Sequence, residues 1–541
     1  MIDAHRGHQG PYTVAAALLH HLVPGVLERS ADLVAAHDVE IRAAAPGLRD
    51  RVPAVRDRPA AGLADDERIL VPAPRRTLRL ANGLCEFVRA AVPPGRVLAV
   101  GNAAEADPTD LELLAVLTRR IPPDVLAVQV WSGGPPAPPD TRTAGRLWAE
   151  VDRCTQEGFL HAVAELGALG LERTEPGSAR WWDFAQRTAT ALGGLGRREE
   201  AGRLWEQVRR VSQDPAMHAA SAYGLAMLDA RNPDPATRDL GRARGWLNQA
   251  IAVSTLLPDP AERAFKLGFD RNGLALVEFR EGRVDRALDL VDSALALAAE
   301  LGERHPVHRM VLLANRAQLL AARGQGKEAL EEYGAALALG VALPDHYLDR
   351  GNLLLKLGHA EEALADYEQA IRLGPPLPEA YYNRAEAGLV LGRVEQALAD
   401  LAYVIELDPE YVDAYVNRAG VLAGLERDAE AREVVEAGLE VAPGNPYLLA
   451  VLGQVETAAG RFEAARAAFD QAIAGAPELA AAWGNRAVLR FEQGDAAGAV
   501  ADLDRAIALA PAPDLHANRA VALRALGRVK AAEVDERLAG G

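Results

Sequence analysis

The chain has 541 residues, of which 49% are hydrophobic, 25% are charged and only 5% are aromatic. This composition is typical of a folded globular protein and excludes a disordered or fibrous chain. Acidic residues outnumber basic ones by 76 to 59, and the net charge of −17 argues against a surface that binds nucleic acid. A core that is poor in rings and rich in Ala, Leu and Val favours packed helices over a β-sandwich.

The first apolar stretch, TVAAALLHHLVPGVL, does not have the pattern of a signal peptide or a membrane span. His20, His21 and Pro24 interrupt it, and one arginine precedes it. We therefore expect a cytoplasmic protein that does not associate with membranes. Cys85 and Cys154 are too few for a disulfide framework or a thiolate metal site and are expected to be buried.

Residues 96–131 have the pattern of a strand, a turn, a helix and a second strand. Ala106, Asp107 and Pro108, followed by a Leu-rich helix, resemble the Walker-B region of signal-transducing P-loop ATPases. Gly101 and Asn102 stand where this resemblance implies the magnesium-binding and water-activating carboxylates. We expect residues 1–131 to form a degenerate NTPase-like α/β module that does not hydrolyse nucleotide.

The phosphate loop of such ATPases is also missing its key residues. A Walker A motif needs G-x-x-x-x-G-K-[ST], but the segment GHQGPYT at 7–13 has Pro11 and Tyr12 near the positions of the second glycine and the lysine. The first lysine of the chain is Lys266. No catalytic residue, cofactor or nucleophile motif is predicted, and we expect a protein that is not an enzyme.

Two histidine pairs have a spacing that metal sites use, His5-x-x-His8 and His305-x-x-His308. Neither has an obvious third ligand, so no metal site is predicted. Asp107 and Asp110 are better explained as residues that begin a helix than as an acid-base pair. The Pro- and Gly-rich segment 132–145 is predicted to be a linker.

A repeat of 34 residues dominates the last part of the chain. In residues 378–411 the pattern predicts one helix from about Ala380 to Leu391, a turn at Gly392 and a second helix from about Glu395 to Leu407. The same alanine of the second helix recurs at spacings of 33 or 34 residues. It is found at Ala329, Ala363, Ala397, Ala431, Ala465, Ala499 and Ala532.

These repeats strongly resemble the tetratricopeptide repeat (TPR) family, in which small residues at positions 8, 20 and 27 let helices approach each other. Seven units are predicted, with boundaries at 310–343, 344–377, 378–411, 412–445, 446–479, 480–512 and 513–541. Ala201, Ala243 and Ala287 extend the pattern upstream at longer spacing, so 146–309 is predicted to hold long-period TPR-like repeats. The expected fold is mostly α, a TPR helical-repeat superhelical solenoid with a small N-terminal α/β module.

Position 6 of a TPR unit faces the concave groove, and here five of the seven residues are asparagine. An amide both donates and accepts hydrogen bonds and can hold the backbone of an extended peptide. The resemblance implies this use, because peptide-binding TPR proteins place asparagines there; the alternative is that these residues only solvate the groove or cap a neighbouring helix. The position is occupied by Asn315, Asp349, Asn383, Asn417, Val451, Asn485 and Asn518.

Position 7 is arginine in six units, and five of these arginines have an acidic residue 16 positions later. We interpret these pairs as structural contacts between the two helices of a unit. Arg418 lacks such an acid, so two alternatives are open: it binds a ligand carboxylate, or Glu433 pairs with it. The unit 446–479 has Val451 and Leu452 at positions 6 and 7, which indicates an apolar pocket or a unit that has drifted.

These patterns favour a non-enzymatic adaptor that binds an extended peptide or a partner protein in the TPR groove. The predicted groove residues are Asn315, Asp349, Asn383, Asn417, Arg418, Asn485 and Asn518. Two alternatives remain: a divergent signalling ATPase or transcriptional regulator without a DNA-binding domain, and an accessory subunit that presents a substrate to a modifying enzyme. The sequence leaves the oligomeric state and the partner open.

Overall fold

A computed structural model describes residues 1–7, 10–56, 76–134, 141–340 and 343–540. Its internal contacts divide the chain into two compact units, Met1–Leu377 and Pro378–Gly541. Most of the described residues are helical, and a small sheet lies near the N-terminus. The predicted fold class, helical repeats with a small N-terminal α/β module, is confirmed.

The sheet has three parallel strands, β1 (Ile2–Asp3), β2 (Arg96–Gly101) and β3 (Leu126–Val130), in the order β1-β2-β3. Ile2 pairs with Val100, and Arg96 pairs with Leu126. The strand, turn, helix and strand that the sequence predicts for 96–131 are therefore confirmed. The helices of this region are α1 (Thr13–Arg29), α2 (Ala31–Ala36), α3 (Asp38–Ala44), α4 (Arg76–Ala91), α5 (Pro108–Arg120), α6 (Ala144–Glu157) and α7 (Leu160–Glu172).

The core that covers this sheet continues into α6 and α7. Phe87 on α4 and Leu117 on α5 are fully buried, as is Cys154 on α6. Tyr12 packs edge-on against Phe159, with 5.3 Å between the ring centroids. Both Cys85 and Cys154 are buried free thiols, as predicted. The predicted linker 132–145 is described only at its two ends, and the division between the module and the repeats stays a prediction.

Ten helix pairs follow in the described part of residues 179–540. Each pair has a first and a second helix, and the longest helix has 21 residues. Five pairs lie in Met1–Leu377: α8 (Ala179–Gly194) with α9 (Arg198–Val211), α10 (Pro215–Ala230) with α11 (Leu240–Ser254), α12 (Pro260–Arg280) with α13 (Val284–Glu300), α14 (Pro306–Ala322) with α15 (Gly326–Ala338), and α16 (Pro344–Lys356) with α17 (Ala360–Leu373).

The other five pairs lie in Pro378–Gly541 and have helices of 12 to 14 residues. They are α18 (Pro378–Val390) with α19 (Val394–Leu407), α20 (Val412–Gly424) with α21 (Asp428–Val441), α22 (Pro446–Ala458) with α23 (Phe462–Gly475), α24 (Ala480–Glu492) with α25 (Ala496–Leu509), and α26 (Pro513–Ala525) with α27 (Val529–Gly540). Within each unit of the chain, successive pairs pack against each other.

The recurring alanine explains why the helices can pack so closely. At every repeat the alanine lies on the second helix and at most 1% of its surface is exposed, because a larger side chain there would push the two helices apart. The alanines therefore occupy an equivalent place in each pair, including the three pairs upstream, while the predicted repeat boundaries stay a prediction. The ten positions are Ala201, Ala243, Ala287, Ala329, Ala363, Ala397, Ala431, Ala465, Ala499 and Ala532.

In eight of the ten pairs the turn between the two helices is built on a glycine with positive φ; the exceptions are the connection 231–239 and the turn between α20 and α21, where Glu426 has a φ of 59°. At Gly392 φ is 73°, a left-handed conformation that other residues adopt only at a cost. The helices on either side of Gly392 begin and end within two residues of the predicted positions. The largest difference is at the start of the first helix, which begins at Pro378 instead of Ala380. Among the described residues, no helix is both long and apolar enough to cross a bilayer.

Candidate functional site

The predicted position-6 residues lie on the first helices of their pairs, and we call these residues the amide ladder. It consists of Asn315, Asp349, Asn383, Asn417, Asn485 and Asn518. The hydrogen bonds of Asn315, Asp349 and Asn417 run from one first helix to another. In Met1–Leu377, Asn315 Nδ2 donates to Asn272 Oδ1 of α12 (2.8 Å), and Gln318 Nε2 of α14 donates to Asp349 Oδ2 (3.1 Å).

The same kind of contact is found in Pro378–Gly541. Asn417 Nδ2 on α20 donates to the hydroxyl oxygen of Tyr382 on α18 (2.8 Å). Tyr382 also packs against the ring of Tyr411, with 5.2 Å between centroids. Asn485 is half-buried and Asn518 is exposed. Neither side-chain amide has a hydrogen-bond partner within the described part of the chain. Polar groups of the ladder are therefore open to a ligand at this end.

Glu386, one turn after Tyr382 on α18, joins the network around Asn417. Burial raises the pKa of Glu386, and repulsion from Asp413 adds to this effect, while hydrogen bonds with Tyr382 and Asn417 oppose it. The sequence patterns did not single out Tyr382 and Glu386. The feature that could have indicated them is a tyrosine and a glutamate one helical turn apart on the first helix, on either side of the position-6 asparagine of the same repeat.

The unit 446–479 interrupts the ladder with apolar side chains, as the sequence indicates. Val451 and Leu452 are partly buried and pack against a cluster that includes Tyr415, Leu422 and Leu448. Their packing, largely against the preceding helix pair, explains why these positions are apolar, and it leaves no need for a ligand side chain there.

The position-7 arginines contact the second helices instead. Arg384 donates from Nε and Nη2 to the two carboxylate oxygens of Asp400 on α19, at 2.8 and 2.6 Å. This is the bidentate geometry that favours Arg over Lys. The predicted pairs within a unit are confirmed at all five places: Arg316 with Glu332, Arg350 with Asp366, Arg384 with Asp400, Arg486 with Asp502, and Arg519 with Asp535.

Two of these arginines in Pro378–Gly541 also bind an acid of the preceding pair. Arg486 Nη1 donates to Asp470 of α23 (2.7 Å), and Arg519 Nη1 donates to Asp504 of α25 (2.6 Å). Each guanidinium thus lies between two successive second helices. The amides bridge first helices and the arginines bridge second helices, so the two sets serve different sides of the helix pairs.

Arg418 differs from its counterparts because no carboxylate binds it. Its Nε is buried without a hydrogen-bond partner. Neither a hydrogen bond nor an ion pair joins it to Glu433 within the described residues, and the negative charges of Glu430 and Glu433 act on it only from a distance. Burial lowers the pKa of Arg418, whereas hydrogen bonds to carboxylates raise the pKa of Arg486 and Arg519.

In the N-terminal module a carboxyl group lies at the start of α1. α1 begins at Thr13, and the backbone N–H groups of Val14 and Ala15 donate to Asp110 Oδ1 at 3.0 and 3.2 Å. The start of a helix attracts anions, and here the chain supplies its own. A phosphate at this point would have to displace Asp110.

The residues at the end of β2 also have structural partners. Asn102, which stands where the ATPase resemblance implies a carboxylate, is buried and donates from Nδ2 to Asp3 Oδ1 (2.8 Å). Asp107 begins α5 as predicted, since its carboxylate accepts from the backbone N–H of Thr109 (2.9 Å). In the proposed phosphate loop, residues 8 and 9 lie outside the described residues. The ATPase resemblance stays a prediction.

The histidine pair on α14 lies among aromatic rings. His305 stacks on Phe265 at 4.3 Å and His308 meets the same ring edge-on at 5.1 Å, both measured between centroids. Burial lowers the pKa of His308 to about 4. Within the described residues, no group of three or more His, Cys, Asp or Glu could hold a metal ion. The other pair includes His8, which lies outside them.

Comparison with known proteins identifies the repeats. One family model described as tetratricopeptide repeat matches residues 348–406, 451–512 and 489–539. A second model of the same description matches residues 391–455. Residues 348–539 are thus similar to tetratricopeptide repeats. The TPR assignment agrees with the helix pairs and with the buried alanines.

Curated TPR relatives cover a short part of the chain. Tetratricopeptide repeat protein 36 from Bos taurus is 40% identical over 94 residues, 17% of this chain and 50% of that protein. The Homo sapiens protein of the same name is 39% identical over 90 residues, 17% of this chain and 48% of that protein. The chain thus spans about half the length of these relatives.

Solved TPR structures resemble longer parts of the chain. A tetratricopeptide repeat protein from Parabacteroides merdae aligns with 51% of this chain and 99% of its own, at 19% identity and a TM-score of 0.38.

Proposed function

We propose that the chain is a non-enzymatic adaptor in which the part of the amide ladder within Pro378–Gly541 binds the backbone of an extended peptide of a partner protein. The observation that carries this proposal is the row of half-buried or exposed amides on four of the five first helices of this unit, spaced at multiples of the repeat length: Asn383, Asn417, Asn485 and Asn518. An extended peptide presents backbone donors and acceptors at regular intervals, and amide side chains can satisfy both.

The electrostatics around the ladder in Pro378–Gly541 agree with this use. The arginines at position 7 are engaged by carboxylates of second helices, except for Arg418. The ladder therefore presents neutral amides and the acidic side chains of Glu386 and Asp413 to a ligand. The arginines that carboxylates already bind do not compete for these groups. A peptide backbone needs hydrogen bonds rather than charge, so the amides suit a range of peptide sequences.

The first test is capture of partner proteins from the native host. Replacing Asn383, Asn417 and Asn485 with alanine should abolish capture while leaving the fold intact. A matched control replaces Gln396 and Gln471, exposed amides on the second helices α19 and α23, and should capture the same partners as the unchanged chain. If the triple variant kept the partners, the amide ladder would not be their binding site.

A further inference from the structure

We propose that Arg418 binds a carboxylate group of a partner protein on the side of the second helices. The site is separate from the amide ladder. Its ligand is an Asp or Glu side chain, or a chain terminus, and it takes the place that Asp470 and Asp504 take beside Arg486 and Arg519.

The two complete sites show what this position is built to hold. Arg486 uses Nε and Nη2 for Asp502 of its own pair and Nη1 for Asp470 of the preceding pair. Asp470 is 53% exposed, and Asp504, which binds Arg519 in the same way, is 57% exposed. The Nη1 side of such an arginine therefore opens to solvent, where a group from another molecule can reach it.

Arg418 has lost both internal acids. Val434 stands where Asp502 stands relative to Arg486, 16 residues after the arginine, and Ala402 stands where Asp470 stands, 16 residues before it. Val434 is 7% exposed and offers no acceptor. The guanidinium is half-buried with Nε unpartnered, which is a costly state for a charged group, and the negative charge of a carboxylate at Nη1 offsets part of that cost.

Nearby acidic residues do not replace the lost pair. Glu430 is held by Arg427 through two contacts of 2.8 Å, and Arg427 also binds Glu395. Glu433 is exposed and makes no hydrogen bond to Arg418. A planar guanidinium with free donors readily binds a carboxylate. The two complete sites described above each hold one at Nη1.

The test follows the side-chain Nε–H signal of Arg418 by ¹⁵N NMR in the full chain, assigned by its loss in Arg418→Lys. Sodium acetate is the probe, and acetamide, its neutral isostere, is the control at equal ionic strength. Acetate should shift the signal with half-saturation on the order of 10–100 mM, as expected for one charge-assisted pair, and acetamide should not.

Two variants supply the missing acid from within the chain. Ala402→Asp and Val434→Asp each recreate a contact that Arg486 already makes, so the acetate response of Arg418 should disappear in both. The variant with Asn383, Asn417 and Asn485 replaced by alanine should keep the response, which separates this inference from the proposed peptide site.

Three results would overturn the inference. One is a response that is absent or equal for acetamide. Another is a response at the exposed Arg505 with the same half-saturation, which would mean an adventitious ion only. The third is a large shift of the Arg418 signal in Glu433→Gln without acetate, since Glu433 would then be its internal partner.

Discussion

The arginine and acid pairs of the repeats are contacts between the two helices of one pair. In Arg384 and Asp400 both side chains are mostly buried, with 19% and 8% exposed. Removing one partner leaves a charged group without its hydrogen bonds, whereas replacing both by apolar groups removes the need for them. The pair is therefore expected to matter more when one member is lost than when both are.

For this pair we predict that Asp400→Ala lowers the free energy of unfolding by about 1–3 kcal/mol, because Arg384 stays mostly buried without its two hydrogen bonds to Asp400. The double change Arg384→Leu with Asp400→Leu should cost less than the single change. Urea unfolding of the three proteins measures both effects. A double variant less stable than the single one would show that the charges themselves stabilise the pair.

Asp110 makes the stability of the N-terminal module depend on pH. Burial raises the pKa of its carboxyl from an ordinary 3.8 to about 7. The folded chain then binds a proton that the unfolded chain has already lost, so this group's contribution to stability falls as pH rises from about 4 to about 7. Its hydrogen bonds from Val14 and Ala15 reduce the effect without reversing it.

We predict that Asp110→Asn, which keeps an oxygen for those two bonds, removes this part of the pH dependence. Thermal unfolding at pH 5 and pH 8 should show that the unchanged chain loses more stability than the variant over this interval. Burial also raises the pKa of Glu40 to about 7 and lowers that of His37 to about 4, so only the difference between the two proteins isolates Asp110. Equal losses would contradict the buried, protonated state.

At the scale of single helices and turns, the glycine between two helices of a pair has a conformational role. No atom lies within 4 Å of the Cβ that an alanine would add at Gly392 or at Gly420, but only Gly392 has a positive φ. The two positions therefore separate backbone conformation from steric contact.

Gly392→Ala should destabilise the chain by about 1 kcal/mol, because alanine is strained at that φ. Gly420→Ala, inside α20, should stabilise it by about 0.5–1 kcal/mol, because alanine is the better helix former. The shift of the urea midpoint gives the sign of each effect. Destabilisation by both changes to the same extent would show that φ at Gly392 is not the cause.

The pairing of helices could be predicted because it depends on residues that are close in the sequence. The alanine of each second helix, the turn glycine and the arginine and acid 16 residues apart all lie within one repeat. The contact between Asn417 and Tyr382 could not, since it spans 35 residues and depends on how one pair sits on the next. The bonds from α1 to Asp110 span about 95 residues and had no local signal.

For the whole molecule, the amide ladder was predicted from the repeat register, and the structure adds that its contacts run between first helices. The contact of each arginine with the second helix of its own pair was predicted as well, but the further contact of Arg486 and Arg519 with Asp470 and Asp504 of the preceding pair was not. Nearly all of the net negative charge lies after residue 140, and it is carried largely by these helix pairs.

The proposal that the amide ladder binds a peptide is tested most directly by titration calorimetry. The measurement is the affinity of a captured partner peptide for three forms of the full chain. If each amide contributes about 1 kcal/mol, replacing Asn383, Asn417 and Asn485 with alanine should weaken binding by about 100-fold. The control with Gln396 and Gln471 replaced should bind like the unchanged chain. Equal affinity for all three forms would contradict the proposal that the amide ladder binds the peptide.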